Sequence, residues 1–411
     1  MTLITSVRGR IIYNSRGQST IEVDISTKTH TGRAAAPSGA SVGRYEAAAF
    51  PKGGARKSLD ILEDNASKFI GIDSTDQKAI YEALKTIDST DNYSVIGGST
   101  AYAVSMASAQ VAALTQDIPL YKSIHSKEHY KLPIPLGNIL GGGAHAGHGA
   151  PDIQEILVFT LASRSIRDVI QTNIDVHKQL GVLLAERDIT FTRGRSDEGG
   201  WAPNMNNEQA LEISARACES LGYTLGKEVA LGVDFASSTQ YNQEQDRYIY
   251  DRAGFENSTG EQIEFVSDII KRYKIKYVED AVHEEAFKDM SILTSRFPDV
   301  LIVGDDLTVT NYTILQKAIS DKSCNAAILK VNQAGSLYEA MQFADMATQN
   351  NIKLITSHRS GESNDSQIAH VGISTDSTLL KTGILGGERV AKLNELLRIS
   401  GNDLIRGLGE L

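Results

Sequence analysis

The chain is 411 residues long and carries a formal net charge of −10. This length predicts two domains, one of them large enough for a barrel, and the acidic charge argues against nucleic acid or an anionic membrane as the main partner. No apolar run approaches the roughly 18 residues of a membrane span, and the N-terminus lacks a signal-peptide pattern. Because Cys218 and Cys324 show no metal-site or redox spacing, we expect a cytoplasmic protein with reduced cysteines.

Residues 1–127 predict an α+β domain. Apolar and polar residues alternate in three segments, as in an antiparallel meander. The predicted strands span residues 4–13, 19–26 and 30–36. The predicted helices that follow span residues 57–70, 76–84 and 100–115. A group of strands followed by a group of helices is typical of the α+β class.

A glycine-containing loop, Ala36-Pro37-Ser38-Gly39-Ala40-Ser41-Val42-Gly43, follows the third predicted strand. It lacks the lysine of a P-loop and does not follow a G-x-G-x-x-G spacing, so nucleotide binding is not predicted. Two interpretations stay open for this loop. It is either a plain β-turn or a mobile lid that closes over an active site.

The second half of the chain contains short apolar runs that each end in an ionisable residue. From Glu279 onward they recur at intervals of about 25 residues, the length of one strand and one helix with their loops. The runs end at Asp234, Glu279, Asp305, Lys330 and His358, with a weaker sixth at Lys381. Continuous apolar runs are typical of parallel strands buried on both faces, and an α/β barrel has its active site at the carboxyl ends of its strands. We therefore predict such a barrel over residues 128–411, with a long amphipathic helix at residues 163–186.

Asp234, Glu279 and Asp305 provide three carboxylates without a neighbouring histidine or cysteine. Such a ligand set suits a hard cation such as Mg²⁺. Any one of these residues alone is more simply explained as a helix cap or a loop ion pair. Because all three lie at predicted strand ends, a metal site is the favoured interpretation. The doublet partners Asp280 and Asp306 are expected to support the ligands or cap loops.

Lys330 closes one of the apolar runs. It is either a lysine that extends to the surface or a general base whose pKa is lowered by a bound metal and a second cation. Lys381 is a candidate for that second cation. The segment His358-Arg359-Ser360-Gly361-Glu362 resembles an anion clamp, because arginine binds phosphate through two parallel hydrogen bonds and serine adds a donor.

Two polar clusters precede the barrel strands. Glu198 lies in Asp197-Glu198-Gly199-Gly200-Trp201, which contains the only tryptophan of the chain, and His145 is followed by Gln154-Glu155. A pair of carboxyls opposite a lysine base would provide a proton donor and its partner. For Glu155, an ion pair inside the barrel is an equally good interpretation.

These motifs together resemble the enolase family. The matching segments cover almost the whole chain in order: Ser15-Arg16-Gly17, Pro37-Ser38-Gly39-Ala40-Ser41, Gln154-Glu155, Asp197-Glu198-Gly199-Gly200, Asp234-Phe235-Ala236-Ser237-Ser238, Val278-Glu279-Asp280, Asp305-Asp306-Leu307-Thr308, Leu329-Lys330-Val331-Asn332-Gln333, Ser357-His358-Arg359-Ser360-Gly361-Glu362, Lys381-Thr382-Gly383 and Glu388-Arg389-Val390-Ala391-Lys392. The resemblance implies an enolase-type α/β barrel after an α+β N-terminal domain. It also implies reversible dehydration of 2-phospho-D-glycerate to phosphoenolpyruvate in glycolysis and gluconeogenesis, two Mg²⁺ per active site, and a homodimer or an octamer of dimers.

The resemblance further implies roles for individual residues. The implied metal ligands are Asp234, Glu279 and Asp305 for the first Mg²⁺ and Ser41 for the second. The implied catalytic residues are Lys330, Glu198, Glu155, Lys381 and His358. The implied substrate contacts are His145, Gln154, Arg359, Ser360 and Ser41. In this scheme Lys330 removes the C2 proton, and Glu198, with Glu155 beside it, protonates the departing C3 hydroxyl.

Three alternatives stay open. The segment Gly147-His148-Gly149-Ala150-Pro151 is one residue longer than the family pattern, so His145 and His148 are both candidates for the loop histidine. An acid-sugar dehydratase with the same chemistry is a second candidate function, although its substrates need neither a phosphate clamp nor the loop at residues 36–43. A non-catalytic binding protein is the third, although such a protein would be free to lose Lys330 or Glu198.

Overall fold

The N-terminal part of the chain is an antiparallel sheet covered by helices. The computed structural model describes residues 2–39, 43–162 and 165–411. The first strands are β1 (Ser6–Tyr13), β2 (Ser19–Ser26) and β3 (Thr31–Ala35), paired in the order β1-β2-β3. The helices that follow are α1 (Gly54–Asn65), α2 (Gln77–Ile87), α3 (Gly98–Gln116) and α4 (Leu120–Ile124). The predicted meander and the predicted helices are confirmed, with their ends shifted by a few residues.

The alanine-rich helix α3 packs directly on β2 and β3. Small residues allow this close approach, since a Cβ atom on Gly32 would lie 2.4 Å from the carbonyl oxygen of Ala107. The apolar cluster around α3 also includes Leu337 and Phe343 from the C-terminal part of the chain. The N-terminal sheet and helices are therefore anchored to the outside of the C-terminal part by a shared core.

The remaining strands form a barrel and two small sheets. In chain order they are β4 (Tyr130–Leu132), β5 (Ile134–Gly141), β6 (Glu155–Thr160), β7 (Val229–Asp234), β8 (Tyr241–Asn242), β9 (Arg247–Tyr250), β10 (Phe255–Asn257), β11 (Tyr277–Glu279), β12 (Leu301–Gly304), β13 (Ala326–Leu329), β14 (Lys353–Ser357), β15 (Leu379–Lys381) and β16 (Ile405–Leu408). The barrel is closed in the order β11-β12-β13-β14-β15-β5-β6-β7. The predicted strands from residue 229 onward are confirmed, and each predicted ionisable residue lies at or directly after a carboxyl end.

Strand β6 differs from the predicted parallel arrangement, because it runs antiparallel to both of its neighbours, β5 and β7. The segment 142–154 before it contains only a short 3₁₀ turn, Gly143–His145, whereas a parallel return needs a longer crossover, usually with a helix. Consequently Glu155, the first residue of β6, pairs in register with Asp234, the last residue of β7. The start of β6 thus lies at the same end of the barrel as the carboxyl ends of the other strands.

Helices surround the barrel. They are α5 (Ile166–Arg187), α6 (Asn207–Ser220), α7 (Thr259–Tyr273), α8 (Phe287–Arg296), α9 (Tyr312–Ser320), α10 (Val331–Ala334), α11 (Leu337–Gln349), α12 (Gln367–Ser374) and α13 (Gly387–Ile399). The predicted amphipathic helix is α5, which begins where the Ser165 side chain accepts a hydrogen bond from the Asp168 backbone. No helix in the described ranges is long and apolar enough to cross a membrane.

Candidate active site

Charged side chains converge where β7 and β11–β15 end and β6 begins. Most of them line a cavity of about 30 Å³. The predicted site residues around this cavity are His145, Gln154, Glu198, Asp234, Asp305, Lys330, His358, Arg359, Ser360 and Lys381. A larger cavity of about 790 Å³ lies between the N-terminal sheet and the segment 362–367, away from these strand ends. We therefore place the site at the smaller cavity; Ser41 lies outside the described residues.

Lys381 lies among three carboxylates. Its ammonium nitrogen is 2.6 Å from Glu155 Oε2, 2.8 Å from Asp234 Oδ2 and 2.7 Å from Glu279 Oε2. Burial alone would lower the pKa of Lys381, but the neighbouring carboxylates raise it well above its usual value. The end of β15 therefore places an ammonium group among the carboxylates of the site.

The carboxylates around Lys381 also suit a metal ion. Oxygen atoms of Glu155, Asp234 and Glu279 lie within 4.8 Å of one another. The other carboxylate oxygen of Glu279, Oε1, is buried and has no hydrogen-bond partner among the described residues. Burial, together with the charge of Asp234, raises the pKa of Glu279 well above its usual value. Lys381 supplies only one positive charge to three buried carboxylates, which leaves negative charge for a further cation, and oxygen ligands of this kind fit Mg²⁺.

Asp305 lies apart from that group. Its side chain forms an ion pair with Lys330 and accepts a hydrogen bond of 3.1 Å from Gln333 Nε2. Burial would lower the pKa of Lys330, but the Asp305 carboxylate raises it above its usual value. The lowered pKa predicted for this lysine therefore requires that a cation neutralise Asp305.

Asp280 supports the loop that carries Asp305. Its Oδ1 atom accepts a hydrogen bond of 3.0 Å from the Asp305 backbone N–H, and its Oδ2 atom accepts one of 2.8 Å from the Asp306 N–H. The supporting position expected for Asp280 agrees with these contacts. They fix the backbone from which the Asp305 carboxylate projects.

Two neighbouring carboxyls, Glu155 and Glu198, lie near the imidazole rings of His145 and His358. His145 Nδ1 is 3.6 Å from Glu155 Oε1 and 3.8 Å from Glu198 Oε1, and His358 Nε2 is 3.0 Å from Glu198 Oε2. Burial and the charge of Glu198 raise the pKa of Glu155 to about 7. Burial would also raise the pKa of Glu198, but the two imidazoles hold it well below its usual value. The two carboxyls thus differ in proton affinity, as in acid–base pairs that share a proton.

The structure brings His145, and not His148, to this pair of carboxyls. His145 is buried, whereas His148 is exposed and lines a separate surface cavity. Gln154 lies on the other side of Glu155, with its amide nitrogen 3.4 Å from Asp234 Oδ2. Of the two candidates for the loop histidine, His145 is therefore the one that lies near these carboxyls, and its role stays a prediction.

Arg359 is held by a residue from the N-terminal part of the chain. Its Nη1 and Nη2 atoms donate hydrogen bonds of 2.9 and 3.2 Å to the two carboxylate oxygens of Glu46, and both residues are buried. Next to it, the Ser360 Oγ atom is buried without a hydrogen-bond partner among the described residues. A fixed guanidinium and an unused hydroxyl are suitable donors for a phosphate group.

Sequence reasoning missed some residues that contact this site. Asn138 donates a hydrogen bond of 2.7 Å to Glu155 Oε1, and the Tyr277 hydroxyl donates one to Glu279 Oε2. The sequence does contain a pattern that points to Asn138 and Tyr277. Asn138 is a polar residue within an apolar strand, and Tyr277 precedes Glu279 by two positions, so that both side chains point to the same face of β11. Glu46 carries no comparable signal, because its partner is distant in the sequence.

Comparison with known proteins identifies the family of this chain. Residues 4–124 match the family model "Enolase, N-terminal domain", and residues 129–405 match "Enolase, C-terminal TIM barrel domain". A protein named "Enolase" from Methanosphaera stadtmanae is 45% identical over 412 residues, which are 100% of each chain. Enolases of Methanothermobacter thermautotrophicus (45% identical, 97% of this chain and 96% of the relative) and Pyrobaculum aerophilum (39% identical, 95% and 94%) are also similar. The chain therefore belongs to the enolase family.

Proposed function

We propose that the buried residues at this end of the barrel catalyse the reversible dehydration of 2-phospho-D-glycerate to phosphoenolpyruvate, with two Mg²⁺ per active site. The dehydration follows from membership in the enolase family, and it makes this chain a lyase of glycolysis. One observation carries the assignment of individual steps. Lys330, Lys381 and Glu198 line the same cavity as Asp234 and Asp305. Glu155 and Glu279 lie next to them, in contact with Lys381.

Lys330 is the proposed base. Its side chain is partly buried and reaches the cavity from the end of β13, where it contacts Asp305. In its neutral form the Nζ atom accepts the proton from C2 of the substrate, and the electron pair of the C2–H bond stays on the substrate. The nearby Lys381 ammonium stabilises the negative charge that develops there. Such fixed charges act strongly because the site is buried.

Glu198 is the proposed acid, and Glu155 is its partner. As the C3–O bond breaks, the electron pair released from C2–H becomes the C2=C3 double bond, and the hydroxyl leaves as water with the proton from Glu198. Burial and the charge of Glu198 raise the pKa of Glu155, while the two imidazoles hold the pKa of Glu198 well below its usual value. Glu155 therefore holds the shared proton in the free site and passes it to Glu198 for this step. The hydrogen bond from Asn138 that holds Glu155 in place supports this pairing. In the reverse direction Glu198 removes a proton from the attacking water.

The proposed substrate contacts are His145, Gln154, His358, Arg359 and Ser360. The buried guanidinium of Arg359 and the hydroxyl of Ser360 would bind the phosphate group. His145 and His358 flank Glu198 and would line the space next to the departing hydroxyl.

Asp234, Glu279 and Asp305 are the proposed ligands of the first Mg²⁺, and Ser41 is proposed to join the second Mg²⁺ and the substrate phosphate. When bound, Mg²⁺ supplies positive charge that polarises the substrate carboxylate. The unpartnered Oε1 atom of Glu279 supports this ligand set.

The wider assignments are proposals as well. We place an N-terminal domain at residues 1–127 and the barrel domain at residues 128–411, because the two family matches are separated by residues 125–128. A cytoplasmic location is consistent with two free, buried cysteines. A homodimer or an octamer of dimers is proposed by analogy with the family, and light scattering of the purified chain tests it.

The proposed substrate is tested by comparing 2-phosphoglycerate with a panel of non-phosphorylated acid sugars, each with Mg²⁺ present. We expect phosphoenolpyruvate from 2-phosphoglycerate and no dehydration of the acid sugars, because these lack the group that Arg359 and Ser360 would bind. Turnover of an acid sugar without turnover of 2-phosphoglycerate would instead support the second candidate function.

Asp305→Ala tests the metal site. We expect little turnover at ordinary Mg²⁺ concentrations and an affinity for Mg²⁺ lowered by at least about 10-fold, since the two remaining carboxylates form a poor site for a cation that sheds water reluctantly. Calorimetric titration of Mg²⁺ measures the affinity independently of activity. Asp299→Ala, which removes an exposed carboxylate, is the matched control. An unchanged Mg²⁺ affinity in Asp305→Ala would show that Asp305 is not a metal ligand.

A further inference from the structure

Arg389 is a fully buried cation that the steps above do not use. It lies on α13 within the motif Glu388-Arg389-Val390-Ala391-Lys392, and none of its surface is exposed. Its Nη1 atom donates to His358 Nδ1 at 2.8 Å and to the Arg359 carbonyl at 2.6 Å. Its Nη2 atom donates to the Ser360 carbonyl at 2.7 Å and to the Asp197 carbonyl at 3.1 Å. A single guanidinium therefore joins the two loops that carry the proposed acid and the proposed phosphate contacts.

The contact with His358 determines which ring nitrogen of this histidine carries the proton. A guanidinium has only donors, so the Nδ1 atom that faces Arg389 must be an acceptor without a proton. The proton of the neutral ring is then on Nε2, which lies 3.0 Å from Glu198 Oε2 and donates to it. Burial lowers the pKa of His358 to about 4 despite the adjacent Glu198 carboxylate, which is consistent with a neutral ring.

The opposite tautomer would disturb the proposed acid. With the proton on Nδ1, this N–H would face the donor groups of Arg389, and the Nε2 lone pair would face the Glu198 carboxylate. Both contacts would be repulsive, and the Glu198 side chain would lose the hydrogen bond that sets its direction. An incorrect histidine tautomer in a catalytic group is known to cause large losses of turnover with little change in structure.

We propose that Arg389 is a positioning residue for the dehydration, which fixes the Nε2–H tautomer of His358 and thereby the direction in which Glu198 presents its carboxyl group to the substrate. Arg389 itself does not touch the substrate in this scheme. The inference rests on the proposed role of Glu198 as the acid. It assigns a function to a motif on α13, which begins six residues after Lys381, the last residue of β15.

The kinetic test uses Arg389→Lys, which keeps the charge but lacks the forked donor groups, and Arg398→Lys as the control on the exposed face of the same helix. For Arg389→Lys we expect kcat to fall between about 10-fold and 10²-fold, as for a catalytic group displaced by about 1 Å, with a smaller change in KM for 2-phosphoglycerate. Exchange of the C2 hydrogen with solvent, which depends on Lys330, should decrease less than product formation. Equal kinetic parameters for Arg389→Lys and wild type, or equal losses of exchange and product, would overturn the proposal.

A second measurement needs no variant of Arg389. The Mg²⁺-loaded wild-type protein is labelled with ¹⁵N-histidine, and the His358 resonances are identified by their absence in His358→Gln. We expect an unprotonated Nδ1 and a protonated Nε2 for His358, and in Arg389→Lys a shift of this residue toward a tautomer mixture. A proton on Nδ1 in wild type would overturn the proposal even if Arg389→Lys does not fold. Wild type without C2 exchange or product formation would instead contradict the proposed function, so the two failures are distinguishable.

Discussion

Replacing Lys330 with alanine is expected to lower the rate of phosphoenolpyruvate formation by at least the roughly 10²–10⁴-fold that a positioned general base provides. Lys330 is the cation next to Asp305 at the end of β13. The other lysine of the site, Lys381, also contacts Glu155, which is not a proposed metal ligand and would remain its ion-pair partner when Mg²⁺ is bound. Lys381 is therefore a poor substitute as a base. The absorbance of phosphoenolpyruvate at saturating 2-phosphoglycerate and Mg²⁺ measures the effect.

The variant also leaves Asp305 without its ion-pair partner, so thermal unfolding in the presence of Mg²⁺ must accompany the assay. Lys288→Ala, which removes an exposed lysine on α8, is the matched control and should retain wild-type activity. A folded Lys330→Ala protein with a rate within a few-fold of wild type would show that another group removes the proton.

Glu198→Gln is expected to reduce product formation to a similar extent, by at least about 10²-fold. The carboxamide has nearly the shape of the carboxyl, and its oxygen still accepts the hydrogen bond from His358 Nε2, so the site should stay assembled. What the variant cannot do is transfer a proton to the departing hydroxyl. We expect the same loss in the hydration of phosphoenolpyruvate, because the same group then removes a proton from water.

The exposed glutamate Glu212 on α6 offers a matched control, as Glu212→Gln makes the same chemical change away from the site. If Glu198→Gln were as active as this control, Glu155 or one of the imidazoles would have to be the acid. Glu155→Gln, which removes the other carboxyl of the pair, would then distinguish between these groups.

Much of the barrel and of its charged residues was predictable from the sequence, because strand ends are a local property. An apolar run that stops at a charged residue indicates a buried strand with that charged residue at its carboxyl end. Since all parallel strands of a barrel end on the same side, the sequence alone predicts that Asp234, Glu279, Asp305, Lys330 and Lys381 lie together. In the structure four of them line one cavity, and the fifth, Glu279, contacts Lys381.

The direction of β6 was not predictable in the same way. Its apolar run fits a parallel or an antiparallel strand, and only the short connection 142–154 distinguishes between the two. As a consequence, Glu155 reaches the site from the beginning of a strand, whereas Asp234, Glu279 and Asp305 reach it from strand ends. The predicted grouping of Asp305 with Asp234 and Glu279 also differs from the arrangement in the structure. Asp305 forms an ion pair with Lys330, whereas Asp234 and Glu279 form ion pairs with Lys381.

Contacts between distant parts of the chain were out of reach for sequence reasoning. Glu46 and Arg359 are 313 positions apart, and their pairing depends on how the N-terminal part packs against the barrel. Arg389 was visible as part of a motif, but its partners His358 and Asp197 lie on two different loops. The contacts of such residues can be identified only in the assembled fold, because no local sequence pattern indicates the partner.

Exchange of the C2 hydrogen of 2-phosphoglycerate with deuterated solvent, followed by NMR in wild type, Lys330→Ala and Glu198→Gln, tests the central assignment most directly. It separates removal of the proton from loss of the hydroxyl. We expect exchange and product in wild type, neither in Lys330→Ala, and residual exchange without product in Glu198→Gln. Exchange that persists in Lys330→Ala but disappears in Glu198→Gln would contradict this account and reverse the two roles.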